Sequence, residues 1–152
     1  MDKTVRIVVA GANGRMGRTI CNLARAEAGF ELVGCLERPE AVASLLQPGL
    51  PVASEPEQLL PACKGAVIVD FTAPEPTLRL ARLAGESGCS LVIGTTGFDA
   101  GQRQELAALA ARAPILLSAN MSIGVNALLM LLPRLAQALG PAYDVEISEI
   151  HH

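Results

Sequence analysis

The clearest chemistry in this sequence belongs to three glycines and one acid. In VRIVVAGANGRMGRTICNLA, Gly11, Gly14 and Gly17 follow an apolar run and open an amphipathic one, in the spacing G-x-x-G-x-x-G. Such a turn suits a phosphate. Gly11 would allow a tight exit from a strand, Gly14 a close backbone approach to a pyrophosphate, and Gly17 close packing of helix on strand. The helix N-terminus adds N–H groups and a positive dipole end. Taken alone, the glycines fit equally a strand-to-helix turn that binds nothing. Glu37 narrows the choice: it ends the next apolar run, about 20 residues past Gly17, where a carboxylate would meet the hydroxyls of an adenosine ribose. The alternative for Glu37 is a solvated loop acid. Arg38 beside it is placed to pair with the 2′-phosphate of NADP, helped by Arg15 or Arg18, or simply to face solvent. NADH and NADPH are thus both expected cofactors.

Three more polar stretches follow apolar runs. They are Asp70-Phe71-Thr72-Ala73-Pro74-Glu75, Gly94-Thr95-Thr96-Gly97-Phe98, and Ser118-Ala119-Asn120-Met121-Ser122-Ile123-Gly124-Val125-Asn126. The Thr95 and Thr96 hydroxyls could donate to a nicotinamide, a ribose or a substrate carboxylate, or could only cap the helix expected from Asp99. Asn120 offers a donor and an acceptor just after a buried strand, whereas Ser122 also fits a helix N-cap. His151 and His152 follow a further strand-like run, Asp144 to Glu149, and a histidine at a strand tip suits proton transfer near neutral pH. Two histidines at a chain end are also how an affinity tag begins.

The elements that must position these groups alternate. Strand-length apolar runs recur at 4–10, 30–36, 66–71, 90–93, 114–117 and 144–149, and helical stretches at 15–28, 55–60, 75–87, 99–112 and 125–139. Strands alternating with helices imply right-handed crossovers and a doubly wound parallel α/β sheet of Rossmann type, with ligands beyond the carboxyl ends of the strands. The segment 39–56 carries four prolines and reads as a long connection with one helical turn. Pro133 is expected to break or kink the last helix near 129–132.

The composition agrees. A chain of 152 residues is the size of one domain, and the reading is a single dinucleotide-binding domain over residues 1–152. The 51% hydrophobic and 18% charged content suits strands buried on both faces. A net charge of −3, one Tyr, three Phe and no Trp argue against a nucleic-acid partner. Cys21, Cys35, Cys63 and Cys89 are too scattered for a zinc or C-x-x-C site, so no metal is expected and the thiols read as buried and free. With no long apolar run and no signal-like start, a cytoplasmic chain without a membrane partner is expected.

Taken in order, GANGRMGR, Glu37-Arg38, DFTAPE, VIGTTGF, SANMSIGVN and EISEIHH resemble the N-terminal part of the 4-hydroxy-tetrahydrodipicolinate reductase (dihydrodipicolinate reductase) family of lysine and diaminopimelate biosynthesis. The resemblance implies an NADH- or NADPH-dependent reduction of a cyclic, unsaturated dicarboxylate to tetrahydrodipicolinate. It also implies cofactor contacts at Gly11, Ala12, Asn13, Gly14, Arg15, Met16, Glu37 and Arg38, at the backbone of Gly94, Thr95 and Thr96, and at Ser118, Ala119, Asn120 and Met121. His151 matches the family's proton donor or acceptor, and His152 a substrate-binding position.

The family continues into a K-x-D-A-P-S-G-T segment and a second domain that carries substrate contacts and most of a homotetramer interface. Neither is in this sequence, so the 152 residues are expected to bind cofactor better than they catalyse. The rival expectations are a non-catalytic dinucleotide-sensing module and a scaffold without a ligand.

Overall fold

In a computed structural model, which describes residues 4–148, the chain forms two compact units that divide between Ala119 and Asn120. The first unit holds every strand of the sheet and five of the helices, and the second holds one long helix.

The first unit alternates strands and helices: β1 (Val5–Ala10), α1 (Arg15–Ala26), β2 (Phe30–Leu36), α2 (Pro39–Val42), β3 (Val52–Ala53), α3 (Pro56–Leu59), a 3₁₀ turn (Leu60–Cys63), β4 (Val67–Asp70), α4 (Pro74–Ser87), β5 (Ser90–Ile93), α5 (Ala100–Leu109) and β6 (Ile115–Leu117). All pairings in the six-stranded sheet are parallel, in the order β3-β2-β1-β4-β5-β6. The order reverses at β1, which has β2 on one side and β4 on the other, so the crevice for a ligand opens above the tips of β1 and β4.

Alternation along β1 divides the core. Val8 and Ala10 join Ile68, Leu91 and Ile93 beneath α4 and α5, where Leu78, Ala81, Ala84 and Leu106 are buried. Ile7 and Val9 face the other way, onto Cys21 and Ala24 of α1. Each large aliphatic side chain removed from water in this way contributes about 1.5–3 kcal/mol. All four cysteines are buried and free, as their spacing suggested. The Cys21 and Cys35 sulfurs lie 3.8 Å apart, and the hydrogen bond between them lowers the Cys21 thiol to about 7 while it raises that of Cys35.

Local signals set the helix ends. Asp99 and Gln102 form a reciprocal capping box at the start of α5, with the Asp99 carboxylate accepting from the Gln102 N–H at 2.8 Å and the Gln102 side chain from the Asp99 N–H at 3.0 Å. Pro74 opens α4, and Gly88 closes it in the left-handed conformation at φ 66°. In the second unit, α6 (Ile123–Leu139) starts on Ser122, whose hydroxyl accepts from the Val125 N–H at 3.4 Å. No helix among the described residues is long and apolar enough to cross a membrane.

Three expectations change. The helix α6 continues through Pro133 rather than ending there, although the ring removes one backbone donor. The short strand β3 lies inside the proline-rich connection, pairing Val52 with Cys35 and Ala53 with Leu36. The expected strand over 144–149 is not formed over its described part, residues 144–148: Val145 and Ile147 supply the alternation, but no described strand pairs with them. Glu149, like His151 and His152, lies outside the described residues.

A tight backbone constraint lies where α1 leaves β1. A Cβ on Gly17 would be driven into the Gly11 carbonyl oxygen, whereas one on Gly29 would meet nothing within 4 Å. Gly17→Ala is therefore expected to destabilise the chain by about 2–3 kcal/mol through overpacking, and Gly29→Ala to stay within about 1 kcal/mol of the parent. Urea denaturation of the two variants checks this, and similar midpoints for both would contradict it.

Candidate dinucleotide site

The glycine turn is built by three chain segments. Gly11 leaves β1 at φ 70°, in the left-handed region, and a Cβ there would lie 2.8 Å from the Thr72 methyl. The Gly11 N–H donates to the Leu36 carbonyl at 2.9 Å, which ties the turn to the tip of β2. From that tip Glu37 reaches back. Its Oε2 accepts from the Asn13 N–H and its Oε1 from the Arg38 N–H, each at 2.8 Å. The Glu37 side chain is only 7% exposed, so the carboxylate is a fixed part of the wall. Its remaining lone pairs are available to ribose hydroxyls.

Helix α1 starts on Gly14 with no side-chain cap and no acid in its first turn. Among the described helices of eight or more residues it alone lacks both, since α5 and α6 have side-chain caps and α4 carries Glu75 in its first turn. An uncapped, undischarged helix start at the switch point is suited to an outside anion.

The turn faces a cleft of about 730 Å³. Gly11, Asn13, Gly14, Glu37 and Arg38 line it, together with Phe71, Thr72 and Ala73 from the β4 tip and Ser54, Glu55 and Arg79 farther out. Most of the expected contacts on β1 and β2 are therefore brought together. Ala12 is buried in the core beneath α1 and can offer only backbone. Met16 is exposed on α1. Arg38 is 78% exposed, with its guanidinium 3.4 Å from Glu40 and 3.8 Å from Glu37. Arg18 donates from Nη2 and Nε to Asn13 Oδ1 at 2.6 and 3.1 Å.

The β5 tip joins the β4 tip. The Gly94 N–H donates to the Asp70 carbonyl at 2.8 Å, and Gly94 packs so tightly on the Phe71 ring that no Cβ would fit. Thr95 is 4% exposed, and its hydroxyl is used internally, accepting from the Thr72 N–H at 2.9 Å and lying 3.2 Å from Asp70 Oδ2. The expected ligand-facing hydroxyl at 95 is thus a structural one, while Thr96 is exposed. Ser118, whose N–H donates to the Ile93 carbonyl at 3.0 Å, and Ala119 end the first unit. Asn120 and Met121 open the second, where Asn120 Oδ1 accepts from the Ser122 N–H at 2.8 Å.

Asp70 was not singled out by the sequence, although a strand ending in Asp with Thr two residues on was the available signal. It is fully buried and accepts from the hydroxyls of Thr72, at 2.6 Å, Thr77 and Thr95. This network knits the tips of β4 and β5 to the first turn of α4. Burial pushes the Asp70 carboxyl above its usual range, and the three hydroxyl donors oppose that shift.

A parallel sheet with this strand order, an uncapped helix at its switch point and a ribose-height carboxylate define a Rossmann-type dinucleotide-binding unit. The family model described as dihydrodipicolinate reductase, N-terminus, matches residues 5–121, and the chain belongs to that family. Its cofactor class is accordingly NADH or NADPH.

The chain is 51% identical over 146 residues to the 4-hydroxy-tetrahydrodipicolinate reductase of Desulfovibrio desulfuricans, covering 96% of this chain and 56% of that protein. It is 46% identical to the same-named protein of an Anaeromyxobacter species, covering 97% and 57%. The chain thus spans little more than half the length of the curated relatives it matches. Among solved structures, dipicolinate-bound dihydrodipicolinate reductase from Paenisporosarcina sp. TG-14 superposes with a TM-score of 0.62 at 27% identity, covering 70% of this chain and 43% of that one. Scyllo-inositol dehydrogenase from Lactobacillus casei shares the fold alone, with a TM-score of 0.60 at 15% identity.

The Asp70 network gives a pH signature. A carboxyl whose folded pKa is raised contributes stability that is fully present below the unfolded value of about 3.9 and is lost as pH rises through the folded value. Asp70→Asn has no such dependence and cannot accept all three hydroxyls, so it is expected to cost about 1–3 kcal/mol. That deficit should narrow as pH rises from about 4 towards 7. Urea midpoints of parent and variant across this range test it, and a deficit that grows with pH would contradict it.

Proposed function

We propose that this chain is the cofactor-binding part of an NAD(P)H-dependent 4-hydroxy-tetrahydrodipicolinate reductase that acts in the cytoplasm in lysine and diaminopimelate biosynthesis. The observation that carries the reading is the Glu37 carboxylate, held by the Asn13 and Arg38 amides beside an uncapped helix start, all lining one cleft. When bound, the reduced nicotinamide supplies the hydride for the reduction.

The chain's own groups bind and orient. The first turn of α1 receives the pyrophosphate, Glu37 the adenosine ribose hydroxyls, and Arg38 a 2′-phosphate when one is present. Gly94 to Thr96 and Ser118 to Met121 would hold the nicotinamide half, chiefly through backbone groups. Fixing the ring in one orientation makes the transfer effectively unimolecular. His151 would move the proton and His152 contact a small dicarboxylate substrate. The longer protein would be a homotetramer that uses neither nucleic acid nor a membrane.

Titrating the 152-residue chain with NADH and NADPH, followed by nicotinamide fluorescence, is expected to give saturable binding of both, and no saturable change with either defeats the reading. Arg38→Ala should weaken NADPH more than NADH, by about 1–3 kcal/mol for a charge-assisted contact; equal losses would show that Arg38 does not read the phosphate. Glu37→Ala should weaken both cofactors and NADH at least as much, because it also releases the Asn13 amide. In the longer reductase, His151→Gln is expected to lower kcat by about 10²-fold or more, and an unchanged kcat would place the proton transfer elsewhere.

A further inference from the structure

We propose that Glu55, held in place by Arg79, selects adenine at the outer end of the cleft, an inference that rests on the cofactor reading above. The covalent order of a nicotinamide dinucleotide decides which part of the cleft receives which group. With the pyrophosphate at the glycine turn and the adenosine ribose at Glu37, the base falls beyond Glu37. There the cleft is walled by Ser54 and Glu55 between β3 and α3, by Pro56 at the start of α3, and by Pro76, Arg79 and Leu80 on α4.

The hydrogen bonds in this wall are unevenly distributed. Arg79 Nη2 donates to Glu55 Oε2 at 2.5 Å and to Glu57 Oε2 at 2.7 Å, while Nε donates to Glu57 Oε1 at 3.2 Å. Both Glu57 oxygens are thereby occupied, and Glu57 lines a separate depression with Pro61, Lys64 and Leu83. Glu55 faces the dinucleotide cleft and gives only Oε2 to Arg79, which leaves Oε1 as an acceptor beside the place of the base. A half-exposed glutamate would otherwise sample many rotamers, and the Arg79 bond holds this one to the wall.

An ionised carboxylate only accepts hydrogen bonds. It therefore pairs with a purine edge that carries an exocyclic amino group, as adenine does, and repels one that carries a keto oxygen at the same position. The wall is in this way an amino-purine reader, supplied by residues at 55 and 79 that lie outside the glycine-turn signature.

The test compares NADH with its hypoxanthine analogue, deamino-NADH, by fluorescence titration of the 152-residue chain. The analogue is expected to bind about fivefold more weakly, as befits a charge-assisted bond at a half-exposed site. Glu55→Gln should bring the two affinities within about twofold, since a glutamine can donate to the keto oxygen as readily as it accepts from the amino group. Arg79→Ala should shrink the ratio by releasing Glu55. Glu86→Gln, which removes one negative charge at the other end of α4, should leave it unchanged. Equal binding of NADH and deamino-NADH by the parent, or a ratio that survives Glu55→Gln, overturns the proposal while leaving the cofactor reading intact. Failure of NADH itself to bind removes both.

Discussion

The contact on which the rest of this unit depends is the approach of α1 to the exit of β1, where Gly17 lies against the Gly11 carbonyl with no room for a side chain. That approach sets the first turn of α1 above the tip of β1, at the point where the strand order reverses. It also fixes what the neighbouring strands can do. The β2 tip is close enough for Glu37 to reach the Asn13 amide, and the β4 tip close enough for Thr72 to fill the space over Gly11. The site is thus a consequence of packing, with the polar contacts added to an already constrained backbone.

A second level of organisation lies behind the cleft wall. Asp70 takes no ligand-facing role and is instead surrounded by hydroxyls from the β4 tip, the β5 tip and α4. A buried carboxylate is costly unless its lone pairs are satisfied. Three threonines satisfy them here, so loops that would otherwise move independently are held in register.

What the sequence revealed follows from the range of each signal. The turn and Glu37 were legible because glycine spacing, a strand and a helix start lie close together in the chain, and the doubly wound order followed from alternating runs. The strand β3 was not, since two residues within a proline-rich stretch make no periodic pattern, and only pairing with Cys35 and Leu36 defines it. The run at 144–148 shows the converse, a pattern with no partner strand among the described residues. Thr95 looked ligand-facing because a hydroxyl after a strand often is, but its neighbours Asp70 and Thr77 come from elsewhere in the chain. The Glu55–Arg79 wall joins the residue that precedes α3 to α4 and has no local signature at all.

Asn13 is a junction of three bonds: its amide is held by Glu37, and its side-chain oxygen receives two donors from Arg18. A change at one of these positions strands a partner at another, so 13, 18 and 37 form one mutational unit whose effects do not add. Sequence drift at the turn is therefore expected to be concerted: an arginine at 18 retains its value only while position 13 presents a fixed acceptor, and that acceptor stays fixed only while an acid at 37 holds the backbone beneath it.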